Sequence, residues 1–300
     1  MEDASLGARV SAALDAPVRG EITAFAEQLG RESGALAVLF YGSNLRTGSL
    51  DGVLDFYVLT DGPRERGLWP RVSYHELELG GTILRAKVAT LRLRTFVHAA
   101  TGKHLDTTIW ARFVQPCALA WSVGEAMREQ VAAAIVHAIV TASRFAAALG
   151  PERGTESDFW AALFRATYRT ELRVEQAGRE RQILEFGKDH FAGLLPLAWD
   201  AGAIPFAEEA GEFSPMLSAP ERKAILARWA CRRRAGKPLN VLRLLRAATT
   251  FKGGARYLAW KVERHTGVTV PLTPFRERHP LISAPVIVAS YLRARRRTGA

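Results

Sequence analysis

Along residues 5–30 apolar positions recur at helical spacing, Val10, Ala13 and Leu14 and then Ile22, Phe25 and Leu29, with Pro17 and Gly20 between the two sets. This predicts two short helices. From Ala35 the rhythm shortens to runs of strand length: 36–40, 53–60, an alternating "YHELELGG" at 74–81, and "ILRAKVATLRL" at 83–93. "TLRLRTFVHAATG" turns from strand end into a short helix that stops at Gly102. Beyond it the pattern reads as helical throughout. "TIWARFVQPCALAW" leads through Pro116 into a long helix from Val123 to Leu149, and Thr155-x-x-Asp158 is a capping pattern opening the next one. Further helices are expected over 180–195, 219–235, 239–263 and 284–297. No internal repeat is present, so a solenoid is not expected. The pattern predicts an α+β chain, a small sheet followed by a mostly helical part, divided as 1–115, 116–235 and 236–300.

Composition narrows the setting. With 300 residues and 48% hydrophobic content, the chain is long enough to bury real cores. Its two cysteines, Cys117 and Cys231, lie far apart, which argues against a disulfide framework or a cysteine zinc site and fits a reducing cytoplasm. The first 21 residues have no apolar core of the signal-peptide type, and "LISAPVIVASYL" near the end is too short to span a bilayer. Charge changes the picture more. Residues 221–300 hold 19 Lys or Arg against 3 Asp or Glu, and the rest of the chain holds 22 against 27. The C-terminal part therefore suits an anionic partner, a membrane surface or a nucleic acid, unless it is merely a solvated basic face. No helix-turn-helix, RNA-recognition or zinc-finger signature accompanies it, so nucleic acid is not the expected partner.

Candidate chemistry lies in "LAVLFYGSNLRTGSLDGVLDFYVLTD", residues 36–61. A strand, the Gly42-Ser43 turn, a polar loop and a strand carrying Asp55 reproduce the order of a DNA-polymerase-β-type nucleotidyltransferase site. Glycine lets the backbone approach a triphosphate, the serine hydroxyl and backbone N–H groups can bind its oxygens, and the strand carboxylate can hold Mg²⁺. An ordinary hairpin with a partly exposed acid is the plainer reading of the same residues. That superfamily usually carries a second carboxylate two residues on, where this chain has Tyr57. Asp51, Glu76, Glu78 and Asp106 are the available substitutes.

Five blocks in order, "FYGSNLRTGSLDGVLDFYVL", "ILRAKVATL", "WARFVQP", "LFRATYRTELRV" and "LLRAATTFKGGARYLAWKV", resemble the mitochondrial-type phosphatidate cytidylyltransferases, the translocator assembly and maintenance family. The resemblance runs from about residue 36 to 265. It implies a polymerase-β-like nucleotidyltransferase sheet followed by helices, and synthesis of CDP-diacylglycerol from CTP and phosphatidic acid with Mg²⁺. Tyr41-Gly42-Ser43 matches the family's Tyr-Gly-Ser and Asp55 its Leu-Asp-Phe acid. Lys87 falls at its Lys-Tyr-Gly, with Val88 and Ala89 in place of the tyrosine and glycine. Arg112 and Pro116 match Gly-Arg-x-x-Lys-Pro, with Gln115 for the lysine; Tyr168 and Arg173 match Ser-Tyr-x-x-Asp-x-Arg, with Glu171 for the aspartate. Lys252, Gly253, Tyr257 and Lys261 match a C-terminal lysine-glycine block.

On this resemblance Ser43, Asp55 and Lys87 carry the catalysis. Tyr41, Gly42, Lys87, Arg112, Tyr168 and Arg173 bind the nucleotide with Ser43, and Asp51 or Glu171 joins Asp55 on the metal. Each has a plainer reading too: Lys87 as a strand's solvent face, Arg112 as a helix-face ion pair, Tyr168 as core, and Glu171 as a local partner of Arg169 or Arg173. A bilayer-anchored acceptor requires docking from the cytoplasm on the inner face of the membrane. Segment 239–263 and the terminal arginines supply basic and apolar residues for this, with Lys252, Arg256, Trp260, Lys261, Arg295 and Arg296 as expected lipid contacts. Two other classes compete: a nucleotidyltransferase with a different acceptor, and a degenerate fold that only binds anionic lipid or nucleic acid.

Overall fold

Strands that are apolar without interruption lie inside the sheet, and the one that alternates lies at its edge. In the computed structural model, which describes residues 5–63, 65, 67–170, 179–250 and 253–266, β1 (Ala35–Tyr41) and β2 (Leu54–Thr60) are buried on both faces, whereas β3 (Arg71–Leu79) alternates. With β4 (Thr82–Arg92) and β5 (Cys117–Ser122) they form one mixed sheet in the order β3-β4-β2-β1-β5. β2 and β4 run parallel and the other pairs antiparallel. Double-sided burial is why a continuous apolar run, rather than alternation, marks the central strands.

Helices α1 (Leu6–Leu14) and α2 (Gly20–Ser33) fall where the periodicity predicts them. Helix α2 covers one sheet face, where Ile22, Phe25 and Leu29 pack with Val38, Phe40, Phe56, Val58 and Val88. The other face carries Leu39, Tyr57, Leu59, Ala89 and Leu91 into a larger core shared with the helices. Its centre is α6 (Glu125–Leu149), long and apolar enough by length and composition to cross a membrane, with 61% of its most apolar window buried inside the fold. Around it pack α4 (Leu93–Ala100), α5 (Thr108–Phe113), α7 (Glu156–Thr170) and α10 (Leu194–Ala201). The capping pattern before α7 is formed: Thr155 N–H and Oγ1 donate to Asp158 Oδ2 at 2.9 and 2.7 Å.

Four expectations are corrected. Residues 117–122, read as helical, form β5 and extend the sheet beyond β1, so the sheet takes a strand from past residue 115. A six-residue apolar run behind a proline fits either state by pattern, and an open strand edge selects between them. The second correction is a hairpin of β6 (Phe206–Glu209) and β7 (Glu212–Pro215), turning through Ala210 and Gly211, both at positive φ. Alanine is a poor signal for such a turn; Phe206 and Phe213 hold it by packing against Trp199.

The third concerns the long helices. α11 (Ala219–Thr250) runs through Pro238 without a break at 236–238, and α12 (Gly254–Thr266) opens at the Gly253-Gly254 pair, the point where the sequence itself interrupts 239–263. Packing of α11 on α6, α7 and β3 along its length offsets the hydrogen bond that Pro238 removes. Gly253, at φ +75°, makes the turn; a Cβ there would lie 2.8 Å from the Tyr74 carbonyl. Fourth, between α7 and α10 lie two short helices, α8 (Arg179–Phe186) and α9 (Lys188–Phe191), in place of one spanning 180–195. The helix expected over 284–297 lies outside the described residues.

Candidate active site

Register across the sheet builds the floor of the site. Tyr41 pairs with Asp55 on one side and Cys117 on the other, Asp55 pairs with Lys87, and Lys87 pairs with Tyr74. Residues opposite one another point to the same face. One row therefore crosses all five strands, Tyr74, Lys87, Asp55, Tyr41, Cys117, on the face turned to the helices, since Tyr41 and Cys117 belong to the core there.

At the end of β1, Gly42 adopts φ +93°, and a Cβ on it would lie 3.0 Å from Asp55 Oδ2. Conformation and close approach both require glycine. Ser43 starts the short helix α3 (Ser43–Thr47), and buried Asn44 fixes the following loop by donating Nδ2 to the carbonyls of Ser49 and Asp51 at 2.9 and 2.8 Å. Arg112 on α5 reaches over the floor. Its Nη1 donates to Tyr41 Oη at 2.9 Å, and its guanidinium lies 5.0 Å from the Tyr41 ring centre and 6.0 Å from that of Tyr57.

Tyr57, two residues beyond Asp55 on β2, points to the same face. It is 1% exposed, with the rings of Phe113, Tyr41 and Phe96 at 5.1, 5.5 and 6.4 Å. The position is part of an aromatic cluster that holds the floor to the helices. Burial lifts the Asp55 carboxyl above the usual carboxylate range, opposed first by the charge of Lys87 and then by that of Arg112. Burial likewise raises the Tyr41 phenol, against the pull of Arg112, and it stays protonated as a hydrogen-bond partner.

Above the floor opens a cleft of about 530 Å³, a size that suits a small-molecule ligand. Seven residues expected to bind or act line it together: Tyr41, Gly42, Ser43, Asp55, Lys87, Arg112 and Tyr168. They come from three strands, β1, β2 and β4, and three helices, α3, α5 and α7, and span more than a hundred positions of the chain. Among the described residues that line it, Arg46, Lys87, Arg112 and Arg243 face the single carboxylate of Asp55. That excess of positive charge suits a polyanion such as a triphosphate.

The other expected residues lie elsewhere. Asp51 is exposed on the loop that Asn44 holds and does not line the cleft. Asp106 is buried and pairs with Arg243, while its Oδ1 accepts the Thr108 N–H at 2.6 Å. Glu76 accepts from Tyr74 Oη at 2.8 Å and lies 3.7 and 3.8 Å from Arg85 and Arg256; Glu78 is exposed on the edge strand. Arg256 and Trp260 are carried by α12, which packs on β3: Tyr257 lies 5.5 Å from Tyr74, and Arg85 sits 5.3 Å from the Trp260 ring centre. Lys261 is in α12, but its side chain lies outside the described residues, as do Glu171, Arg173, Lys252, Arg295 and Arg296.

Sequence reasoning missed Arg46, Thr108, Asn240 and Arg243 as parts of the cleft. Arg243 was expected on a membrane-facing helix. In the structure it lies inward, where Nη1 donates to Thr108 Oγ1 at 3.0 Å and the guanidinium sits 5.3 Å from the Trp69 ring centre. Only the three-residue spacing of Asn240 and Arg243, which puts both on one helix face, hints at a shared role.

The donor set bears on a metal ion. Among the described residues no group of three His, Cys, Asp or Glu could hold one alone. Asp55, with the Ser43 hydroxyl lining the same cleft, fits Mg²⁺ of the kind held by one carboxylate and completed by substrate phosphates and water. No model of a known protein family matches the chain, and no curated protein shows significant similarity to it.

Proposed function

We propose that the chain is a nucleotidyltransferase that transfers a cytidylyl group from CTP to phosphatidic acid, giving CDP-diacylglycerol and pyrophosphate. The observation that carries the reading is the row Lys87, Asp55, Tyr41 on three adjacent strands beneath Gly42-Ser43 and Arg112, all in one cationic cleft. The nucleotide and acceptor rest on the five-block resemblance, which fits that row residue by residue at Tyr41, Gly42, Ser43, Asp55, Lys87 and Arg112.

In this reading Gly42 keeps the strand end open so that the triphosphate comes close to the backbone. Ser43 donates to its oxygens, and Lys87 and Arg112 balance its charge from two sides. Tyr41 orients Arg112 through its hydroxyl and ring. Asp55 would hold Mg²⁺ together with phosphate oxygens, and the bound ion would offset charge on the triphosphate. A phosphate oxygen of the acceptor forms the new bond to the α-phosphorus as the bond to the β-phosphate oxygen breaks, and pyrophosphate leaves. A phosphate dianion is already deprotonated, so the transfer needs alignment more than a general base.

The test is pyrophosphate release by the full chain with Mg²⁺, each nucleoside triphosphate, and phosphatidic acid in mixed micelles. Release is expected only with CTP and phosphatidic acid together, falling at least about 100-fold in Asp55→Ala. Release with another nucleotide or another acceptor would keep the transferase and replace its substrates. No release from folded protein with any combination would sink the reading.

A further inference from the structure

A second cleft, of about 340 Å³, lies beside the first. The same two elements wall both. Pro70 and Val72 at the start of β3 line the first cleft, and Trp69 and Arg71 line the second. On α11, Asn240 and Arg243 line the first, and Arg246, one helical turn on, lines the second.

We propose that this second cleft binds a phosphate monoester through Arg71, Arg92 and Arg246. Three arginines converge there with one acid, Glu65. That acid is already committed: Oε1 accepts the Arg92 backbone N–H and Oε2 accepts Thr95 Oγ1, both at 2.6 Å, which caps the start of α4. Arg92 Nε is buried with no hydrogen-bond partner among the described residues. Leaving such a nitrogen without a partner is costly, and an anion held by the lining arginines would supply one. Among the lining residues three guanidiniums stand against one carboxylate, an excess that suits a phosphate dianion, whose oxygens arginine forks bind in pairs. The volume exceeds that of phosphate alone, and Trp69 and Leu91 give the remainder apolar walls for what the phosphate is attached to.

The proposal stands on the second cleft's own residues. If the transfer reading also holds, this is where the acceptor's phosphate waits. Inorganic phosphate titrated into the full chain by calorimetry is the first measurement, on wild type, Arg71→Gln, Arg92→Gln and Lys87→Met. A binding component that weakens about tenfold or more in both arginine variants, and persists in Lys87→Met with CTP present, supports the site. Arg71 is exposed, so R71Q gives a reading even if R92Q disturbs α4. Binding indifferent to R71Q and R92Q, or abolished by K87M, overturns it.

The source of the phosphate is read with phosphatidylcholine vesicles containing phosphatidic acid or, at equal charge, phosphatidylglycerol. Preference for phosphatidic acid that disappears in R71Q supports a lipid headgroup. Equal retention on both, with the phosphate component intact, supports a free phosphate. A phosphate component lost in R71Q from protein that releases no pyrophosphate would keep this site while removing the transfer reading.

Discussion

The floor and the wall of the first cleft are both charged, and they are charged in different ways. On the floor, Asp55 sits in a strand row beside Lys87, and burial raises its pKa in spite of Lys87 and Arg112. On the wall, Arg243 is matched by Asp106 and Thr108, and Asp106 in turn caps α5. Burial lowers the Arg243 pKa as it raises that of Asp55, so both charges are held against desolvation; the difference is that Arg243 has a carboxylate and a hydroxyl fixed against it in the fold, whereas Asp55 is the one carboxylate among the cations that line the cleft. The two regions should therefore fail differently when altered.

The largest effect is expected on the floor. Lys87→Met keeps the length of the side chain and removes the cation opposite Asp55, and should lower kcat/KM for nucleotidyl transfer by about 10²- to 10³-fold with little change in melting temperature. Steady-state pyrophosphate release beside a thermal melt checks both halves. A fall in melting temperature that accounts for the lost activity would erase the distinction between floor and wall.

On the wall the order reverses. Asp106→Asn leaves Arg243 buried without its counter-charge, and breaking such a pair from one side costs roughly 3–5 kcal/mol of stability. Arg243 and Asp106 side chains are 19% and 7% exposed, so solvent screens the pair only weakly. Denaturant unfolding should show the loss, while under the proposed transfer activity the surviving folded protein keeps its kcat and shows a raised KM as α11 loosens over the cleft. A kcat collapse in folded Asp106→Asn would move Asp106 into the chemistry.

This division also explains what was legible in sequence. Apart from Cys117, the floor residues lie on neighbouring strands within residues 36–93, where a Gly-Ser turn and a lone acid in an apolar run are local signals. Tyr168, more than 70 positions beyond that segment, entered only through the order of the blocks. Asp106 and Arg243 are 137 positions apart, and neither has a neighbour that announces the other. β5 was missed because its six residues carry no period, and Pro238 misled because tertiary packing, not propensity, decides whether α11 continues. The fold class was readable from the change of rhythm near residue 93; the inward turn of Arg243 was not, since the same residue fits a basic surface helix equally well.

The smallest effect sharpens the comparison most, because it reads the cost of a buried charge on the floor directly. Asp55 has its carboxyl pKa raised in the fold above the ordinary 3.8, so the folded state holds a proton more tightly than the unfolded one. Stability linked to this group is therefore greatest below 3.8 and falls as pH rises through the window up to the folded value. At neutral pH the ionised carboxylate is a net cost to the fold, with burial outweighing Lys87 and Arg112. Asp55→Asn, of the same shape and uncharged, should melt higher than wild type at pH 7 while losing transfer activity. The gap should narrow as pH falls through the folded pKa and close below 3.8, where both side chains are neutral. Melting curves of the two proteins from pH 3 to pH 8 measure it. A lower melting temperature for Asp55→Asn at pH 7 would mean that Lys87 and Arg112 hold Asp55 as Asp106 holds Arg243, and that the floor is a second structural ion pair.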